Sequence, residues 1–261
     1  MTSLRIFAIG GLTSYRALFY WLTPYVYVPS LLVAPIFQIL LFVYIGRSAG
    51  LESDEFYVIG NALQYAAIPC VFAMGFAISG ERYQQTLGPI LVSPARRLPL
   101  FLGRAVPVIL NGAFVAAFSL VVGGLLLGID VPASALGPLA LVVLVSAFSC
   151  TGLGLINGAL GLRVRETAVL ANIIFGLLLI FTGANVPLDE LPGWMRAISD
   201  LVPLTHGIEA ARLLADGVPL ASVDHLIAQE ALVGVAYGFA GYGLLRFLEW
   251  QSRIHATLEM A

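Results

Sequence analysis

Residues 25–45 contain no charged side chain, and further apolar runs follow at residues 56–79, 105–129, 136–162, 167–186 and 226–245. Crossing the hydrocarbon core of a bilayer takes about 20 apolar residues of helix, and each run supplies about that many. The fold class expected is an all-α membrane protein with six transmembrane helices. Composition agrees: of 261 residues, 59% are hydrophobic and 11% charged, whereas soluble domains carry about 25% charged residues.

The distribution of arginine sets the expected orientation. In the six-span layout Arg5, Arg16, Arg82, Arg96, Arg97, Arg104, Arg163, Arg165, Arg246 and Arg253 fall on one side, and Arg47, Arg196 and Arg212 on the other. Arginine-rich short loops stay cytoplasmic, so both termini are expected in the cytoplasm and the protein in a plasma membrane, the inner one in a bacterium. Acidic residues show the reverse bias, with Glu52, Asp54, Glu55, Asp130, Asp189, Glu190, Asp200, Glu209, Asp216 and Asp224 outside. Glu230 falls near the start of the last span, where it is expected to reach water. Carriers coupled to protons or ions usually hold Asp, Glu or His within the membrane, so the pattern weighs against ion-coupled transport.

Other chemistries find no support in the residues. All thirteen basic residues are Arg, and a Walker phosphate loop needs a Lys; ATP hydrolysis of that kind is not expected of this chain. Cys70 and Cys150 sit in apolar runs without CxxC or metal-like spacing and read as buried small residues, so no metal is expected. His206, His225 and His255 form no HExxH, and no GxSxG occurs, so no catalytic residue is named.

Residues 3–22 place Leu4, Phe7, Leu12, Tyr15, Phe19 and Leu22 at helical spacing, with Arg5 and Arg16 close together on the helical wheel. That pattern predicts a helix lying in the membrane interface. A signal peptide is the competing reading, but the next apolar run is longer than such a segment needs and no small-x-small cleavage site divides them. Residues 187–217 predict two short amphipathic helices. One carries Trp194, Met195, Ile198 and Leu201 up to Pro203; the other covers 205–215 and stops at Asp216-Gly217. The pair is expected to dip into the outer leaflet. Gly124 and Gly128, Gly154 and Gly158, and Gly234 and Gly238 have the four-residue spacing that lets helices approach closely. Asn111, Asn157, Asn172 and Asn185 bond across helices or line a path. Tyr25, Tyr27, Phe37, Gln38, Tyr44, Tyr57, Tyr65, Phe72 and Asn172 are the candidates for a substrate path, where the rings suit sugars or planar drugs alike.

Between the second and third spans lies a charged island, residues 80–104. Glu81 and Arg82 extend the second span, Thr86 caps a short helix with Leu87, Ile90 and Leu91, and Ser93-Pro94 ends it before Arg96 and Arg97. Exposed aliphatic side chains among charges mark a partner site. The island, together with the pattern Gly183-x-x-x-Pro187-x-x-x-Leu191-Pro192-x-Trp194 followed by Pro203 and Arg212, resembles the permease subunit of ABC-2 type (type-2 ABC) exporters, along the whole chain. The family usually has Gly and an acidic residue where Gln85 and Gly88 stand here.

The resemblance implies one transmembrane domain over residues 1–261 and a dimer of permeases, homodimeric or with a paralogue. It also implies two separate ABC ATPase subunits, which would carry the ATP and Mg. The island would act as the coupling helix and the N-terminal helix would brace against the ATPase. Lipid is the remaining partner; nucleic acid is not expected. The expected substrate is a hydrophobic or amphipathic drug, antibiotic or lipid leaving the cytoplasm or inner leaflet. The alternatives are a lipid-linked glycan, or an assembly protein that transports nothing.

Overall fold

The structure, a computed structural model, describes residues 5, 7, 9–13, 23–83, 97–164 and 166–255. Among these there are helices and turns and no strand.

The first long helix, α1 (Pro24–Ala49), opens on a proline that needs no amide partner in a first turn. Pro29 and Pro35 have no N–H to give, and between them the ladder widens into a π turn over Val28–Val33, closed by Ala34 N on Pro29 O. Gly50, at φ 64°, ends α1. Ser53 caps α2 (Asp54–Tyr65), its Oγ accepting from Phe56 N at 3.3 Å, with Asp54 and Glu55 in the first turn. Arg47 forms an ion pair with Asp54 across the turn. A single residue, Ala66, separates α2 from α3 (Ala67–Tyr83).

Helix α4 (Arg97–Leu127) contains Pro107 and stops at Gly128, φ 70°. A short turn, Ala133–Ala135, leads into α5 (Leu136–Leu160), which is followed by α6 (Thr167–Phe181). The paired short helices are α7 (Gly193–Ser199) and α8 (Thr205–Ala215); Gly217, φ 84°, lets Val218 N return to Leu213 O at 2.9 Å. The chain then runs through α9 (Leu220–His255).

Helix α5 is the centre of the bundle and packs on α3, α4, α8 and α9. Its Val142, Ala147 and Cys150 join Leu63, Cys70 and Met74 from α2 and α3, and Ile208, Leu214 and Leu245 from α8 and α9, in one buried cluster. The α5–α9 seam is glycine against glycine. A Cβ on Gly152 would stand 2.8 Å from Gly234 O, and one on Gly241 would stand 3.0 Å from Ile156 N, so these backbones meet with no room for a side chain. On the outside, Val169, Ile173 and Leu177 of α6 lie exposed at four-residue steps. Such a stripe is out of place in water and at home in lipid. Among the described residues, five segments are long and apolar enough to cross a membrane: Pro24–Ala49, Asp54–Ala77, Leu102–Leu127, Ala133–Leu160 and Leu220–Gln251. The protein is a multi-pass membrane protein.

Several expectations change. The fifth span, expected over 167–186, is a 15-residue helix ending at Phe181, about 22 Å long at 1.5 Å per residue and short of the ~30 Å hydrocarbon core. The second span, expected over 56–79, is met by Asp54–Ala77 with one turn residue in it, Ala66, whose N bonds Leu63 O at 3.0 Å; Pro69, three residues on, has no N–H to offer Tyr65 O. The last helix begins at Leu220 and continues to His255, well past residues 226–245. Glu230 is 1% exposed and does not reach water. Gly124 and Gly128 are a helix stop: Ile129 N bonds Gly124 O at 2.9 Å around the left-handed Gly128. Gly234, by contrast, does lie in a helix–helix seam. Cys70 and Cys150 are buried and unlinked, as the sequence suggests. Of the N-terminal helix, Arg5 is exposed and Gly11 lies against Gly103 of α4, 3.0 Å from Gly103 O for an added Cβ; Arg16 is outside the described residues.

Gly152→Leu forces the α5–α9 backbones apart and is expected to destabilise by about 1–3 kcal/mol. Gly176→Ala, with nothing within 4 Å of the new methyl, should be stabilising by about 0.5–1 kcal/mol from helix propensity. Thermal unfolding of the two purified variants checks both.

Candidate functional site

Of the island, Glu81 and Arg82 fall on the final turn of α3 and Arg97 opens α4. Thr86, Leu87, Ile90, Leu91, Ser93, Pro94 and Arg96 lie outside the described residues. Arg104 Nη1 donates to Ala77 O at 2.9 Å, which fixes how closely the two helices flanking the island sit.

The substrate-path candidates do not meet at one place. Tyr25, Phe37 and Tyr44 point away from the bundle along α1. Tyr65 is buried and packs edge to face on Phe175 at 6.1 Å. Tyr57 is buried beside Phe56, and Phe72 is half-buried beside Phe76. Asn172 is exposed on α6, its amide donating to Ala168 O at 3.0 Å on the same helix. Tyr27 lines a cleft of about 640 Å³ between the N-terminal helical residues, α1 and α4, together with Phe7, Leu12, Val106, Leu110, Asn111 and Phe114. Its hydroxyl donates to Asn111 Oδ1 at 2.7 Å. The lining is otherwise apolar, the usual character of a site for a hydrophobic molecule.

Gln38 belongs to a different cluster. Its amide donates to Asn61 Oδ1 at 3.0 Å, and Asn61 Nδ2 donates to Tyr57 O and to Asn185 Oδ1, both at 2.9 Å. Amides on α1, α2 and the segment after α6 are thereby joined inside the bundle. Asn157 Nδ2 likewise reaches Val71 O at 3.3 Å, from α5 to α3. Of the four asparagines, three therefore bond across elements.

Two charged side chains position α8, and the sequence pointed to only one of them. Arg212 Nη2 donates to Phe56 O at 3.1 Å, Gly183 O at 2.9 Å and Ala184 O at 3.2 Å, and its guanidinium carbon lies 3.5 Å from the Phe56 ring centre. It so ties α8 to the start of α2 and to the end of α6. Burial pushes its pKa down to about 10, with Glu52 and Glu209 opposing, and it stays cationic at neutral pH. At the other end of α8, Glu230 of α9 accepts from Leu204 N at 2.8 Å and Gly207 N at 3.2 Å, and from the Ser149 hydroxyl of α5. Leu204 has φ 80°, a left-handed conformation that costs a Leu energy. The legible signal for Glu230 was a lone carboxylate in an apolar run, and its distance from the helix it caps hid the rest.

Residues 8–214 match the ABC-2 type transporter family, and the chain belongs to that family. It is 25% identical over 158 residues to the probable multidrug ABC transporter permease YbhR of Escherichia coli strain K12, covering 60% of this chain and 42% of that protein. It is 25% identical over 194 residues, 72% of this chain and 68% of the relative, to the daunorubicin resistance ABC transporter permease protein DrrB1 of Streptomyces coeruleorubidus. The chain thus spans about two fifths of the length of YbhR.

Arg212→Ala removes the donor shared by three carbonyls and is expected to cost about 2–4 kcal/mol, the range for breaking a buried charged interaction. Phe56→Leu, which removes only the ring, should cost about 1 kcal/mol beyond its lost contact area. Chemical denaturation of the detergent-solubilised variants measures both.

Proposed function

We propose that this chain is the membrane-spanning subunit of an ATP-driven exporter that moves a hydrophobic or amphipathic compound, such as a drug, antibiotic or lipid, out of the cytoplasm or inner leaflet. The observation that carries the reading is the family match over residues 8–214, which takes in every helix from α1 to α7 and all but the end of α8. YbhR is a probable multidrug ABC transporter permease and DrrB1 a daunorubicin resistance permease; the likeness to them favours a drug-like cargo over a glycan here. The apolar cleft with its Tyr27–Asn111 pair supports the same choice.

In this reading the whole chain is one transmembrane domain with both termini cytoplasmic. Helix α6, with residues 182–186, completes a sixth crossing, and α7 and α8 enter the outer side of the membrane. The start of α8 supports that depth. It meets Ser149 through Glu230, and Ser149 lies about 20 Å along α5 from Leu136 at 1.5 Å per residue. ATP and Mg are held by two separate ABC subunits, and the permease works as a dimer. Residues 81–97, with Thr86, Leu87, Ile90 and Leu91 as the docking face, receive the push from those subunits, and Arg5 and Arg16 lie on the helix that braces them.

The test is reconstitution with its ATP-binding partner in liposomes. ATP-dependent movement of a hydrophobic dye or daunorubicin is expected. Leu87→Asp, which puts a charge on the docking face, should lower it by about tenfold, equal to about 1.4 kcal/mol. Movement of cargo without nucleotide, or labelling of residues 81–97 from outside the cell, overturns the reading.

A further inference from the structure

Glu230 is the buried group for which the exporter reading has no use. A carboxylate inside a membrane helix is expensive, and such residues mark function by default. Its surroundings say what that function is. The N-cap position of α8 is held by Leu204, which has no capping side chain. If helix stability alone were at stake, a Ser, Asp or Asn at 204 would cap the helix locally. The cap comes instead from 26 residues further along the chain, on another helix.

The same carboxylate takes the Ser149 hydroxyl from α5, 81 residues back, so three elements converge on two oxygen atoms. The contact is deep: Glu230 lies about 15 Å along α9 from Leu220 at 1.5 Å per residue. Around it Gly207 is pressed close to Ser146, leaving no space for a Cβ. Leu204 is fully buried and left-handed, a conformation held by its surroundings. The far end of α8 is tied separately, through Arg212 to Phe56, Gly183 and Ala184. From α5 a backbone-to-backbone contact leads on to α3, with Gly154 against Cys70 O, and α3 ends at Tyr83, within the island.

We propose that Glu230 is a positioning residue for transport, fastening the start of α8 to α9 and α5 so that the three move as one body when the exporter opens. The proposal rests on the exporter reading above. Glu230 touches no cargo in it; it acts through the backbone of Leu204 and Gly207.

The test uses the full chain with its ATP-binding partner in liposomes and compares wild type with Glu230→Gln, which keeps the size and one acceptor oxygen but turns the other into a donor that cannot accept from the Leu204 and Gly207 amides or the Ser149 hydroxyl. The expected result is a drop of about tenfold or more in the maximal rate of ATP-dependent dye movement. The dye concentration at half-maximal rate and the rate of ATP hydrolysis should stay within about twofold, a split that merely lowered folding would not give. Wild-type transport matched by Glu230→Gln overturns the proposal and leaves the exporter reading standing; wild-type protein that moves nothing with ATP removes both. Should Glu230→Gln fail to fold, hydrogen exchange on the wild-type complex decides. Protection of the Leu204 and Gly207 amides that is equal with and without a non-hydrolysable ATP analogue supports the tie. Loss of protection on nucleotide binding overturns it.

Discussion

The constraint on which this structure depends is that a helix end inside a membrane protein has backbone groups that no water will satisfy. Two such places are the segment after α6 and the start of α8. The carbonyls of Gly183 and Ala184 find Arg212, and the amides of Leu204 and Gly207 find Glu230. Each is met by a side chain from another element, and removing either partner leaves buried backbone groups unpaired. The short helix α8 is therefore held at both ends, by its own Arg212 at one and by Glu230 of α9 at the other.

Those ties work only because the long helices come unusually close. Ser149 and Glu230 can share a hydrogen bond because α5 and α9 meet along Gly152, Gly234 and Gly241. In lipid, where burying an apolar side chain against another gains little over burying it in acyl chains, close backbone approach supplies the attraction. The glycines set the distance and the polar pair then fixes the register. Neither device is sufficient alone: a bare glycine seam can slide by a turn, and a carboxylate on a widely spaced helix could not reach both the hydroxyl and the two amides.

What the sequence made legible follows the same division. Spans α1, α4 and α5 are read from apolar length, and α7 and α8 from amphipathic spacing between Pro192, Pro203 and Gly217, because those signals are local. Pro69 is plain in the sequence but its effect is not, since prolines are tolerated in membrane helices wherever another bond replaces the lost one. Gly124 and Gly128 have the spacing of a packing pair, yet Gly128 serves as a left-handed stop; spacing alone does not separate the two uses. Arg212 was marked by its place in a motif, without its partners. Glu230 was misjudged as water-facing because its depth depends on α9 starting at Leu220 and on α8 folding back beside it, which is long-range information. The aromatic candidates on α1 were placed by residue type, and the helix turns Tyr25, Phe37 and Tyr44 outward and Tyr27 inward.

The turn at Ala66 divides the second span into two parts with different partners. Above it, α2 is joined to α8 through Phe56 and Arg212 and to α1 through the Asn61–Gln38 bond. Below it, α3 lies on α5, with Gly154 against Cys70 and Asn157 on Val71 O, and is pinned to α4 by Arg104. Where a ladder hydrogen bond is missing, a helix bends most easily, so in the exporter proposed above a displacement applied at Tyr83 would be poorly relayed straight up through α2. It would pass sideways into α5, which meets α3 backbone on backbone at Gly154 and Cys70, and from there through Ser149 to Glu230 and the start of α8. Packed interiors of this kind shift between discrete arrangements and do not deform smoothly. Proline at 69 and glutamate at 230 are thus parts of one arrangement: the first weakens the direct route between the two ends of the molecule, and the second makes the indirect one continuous.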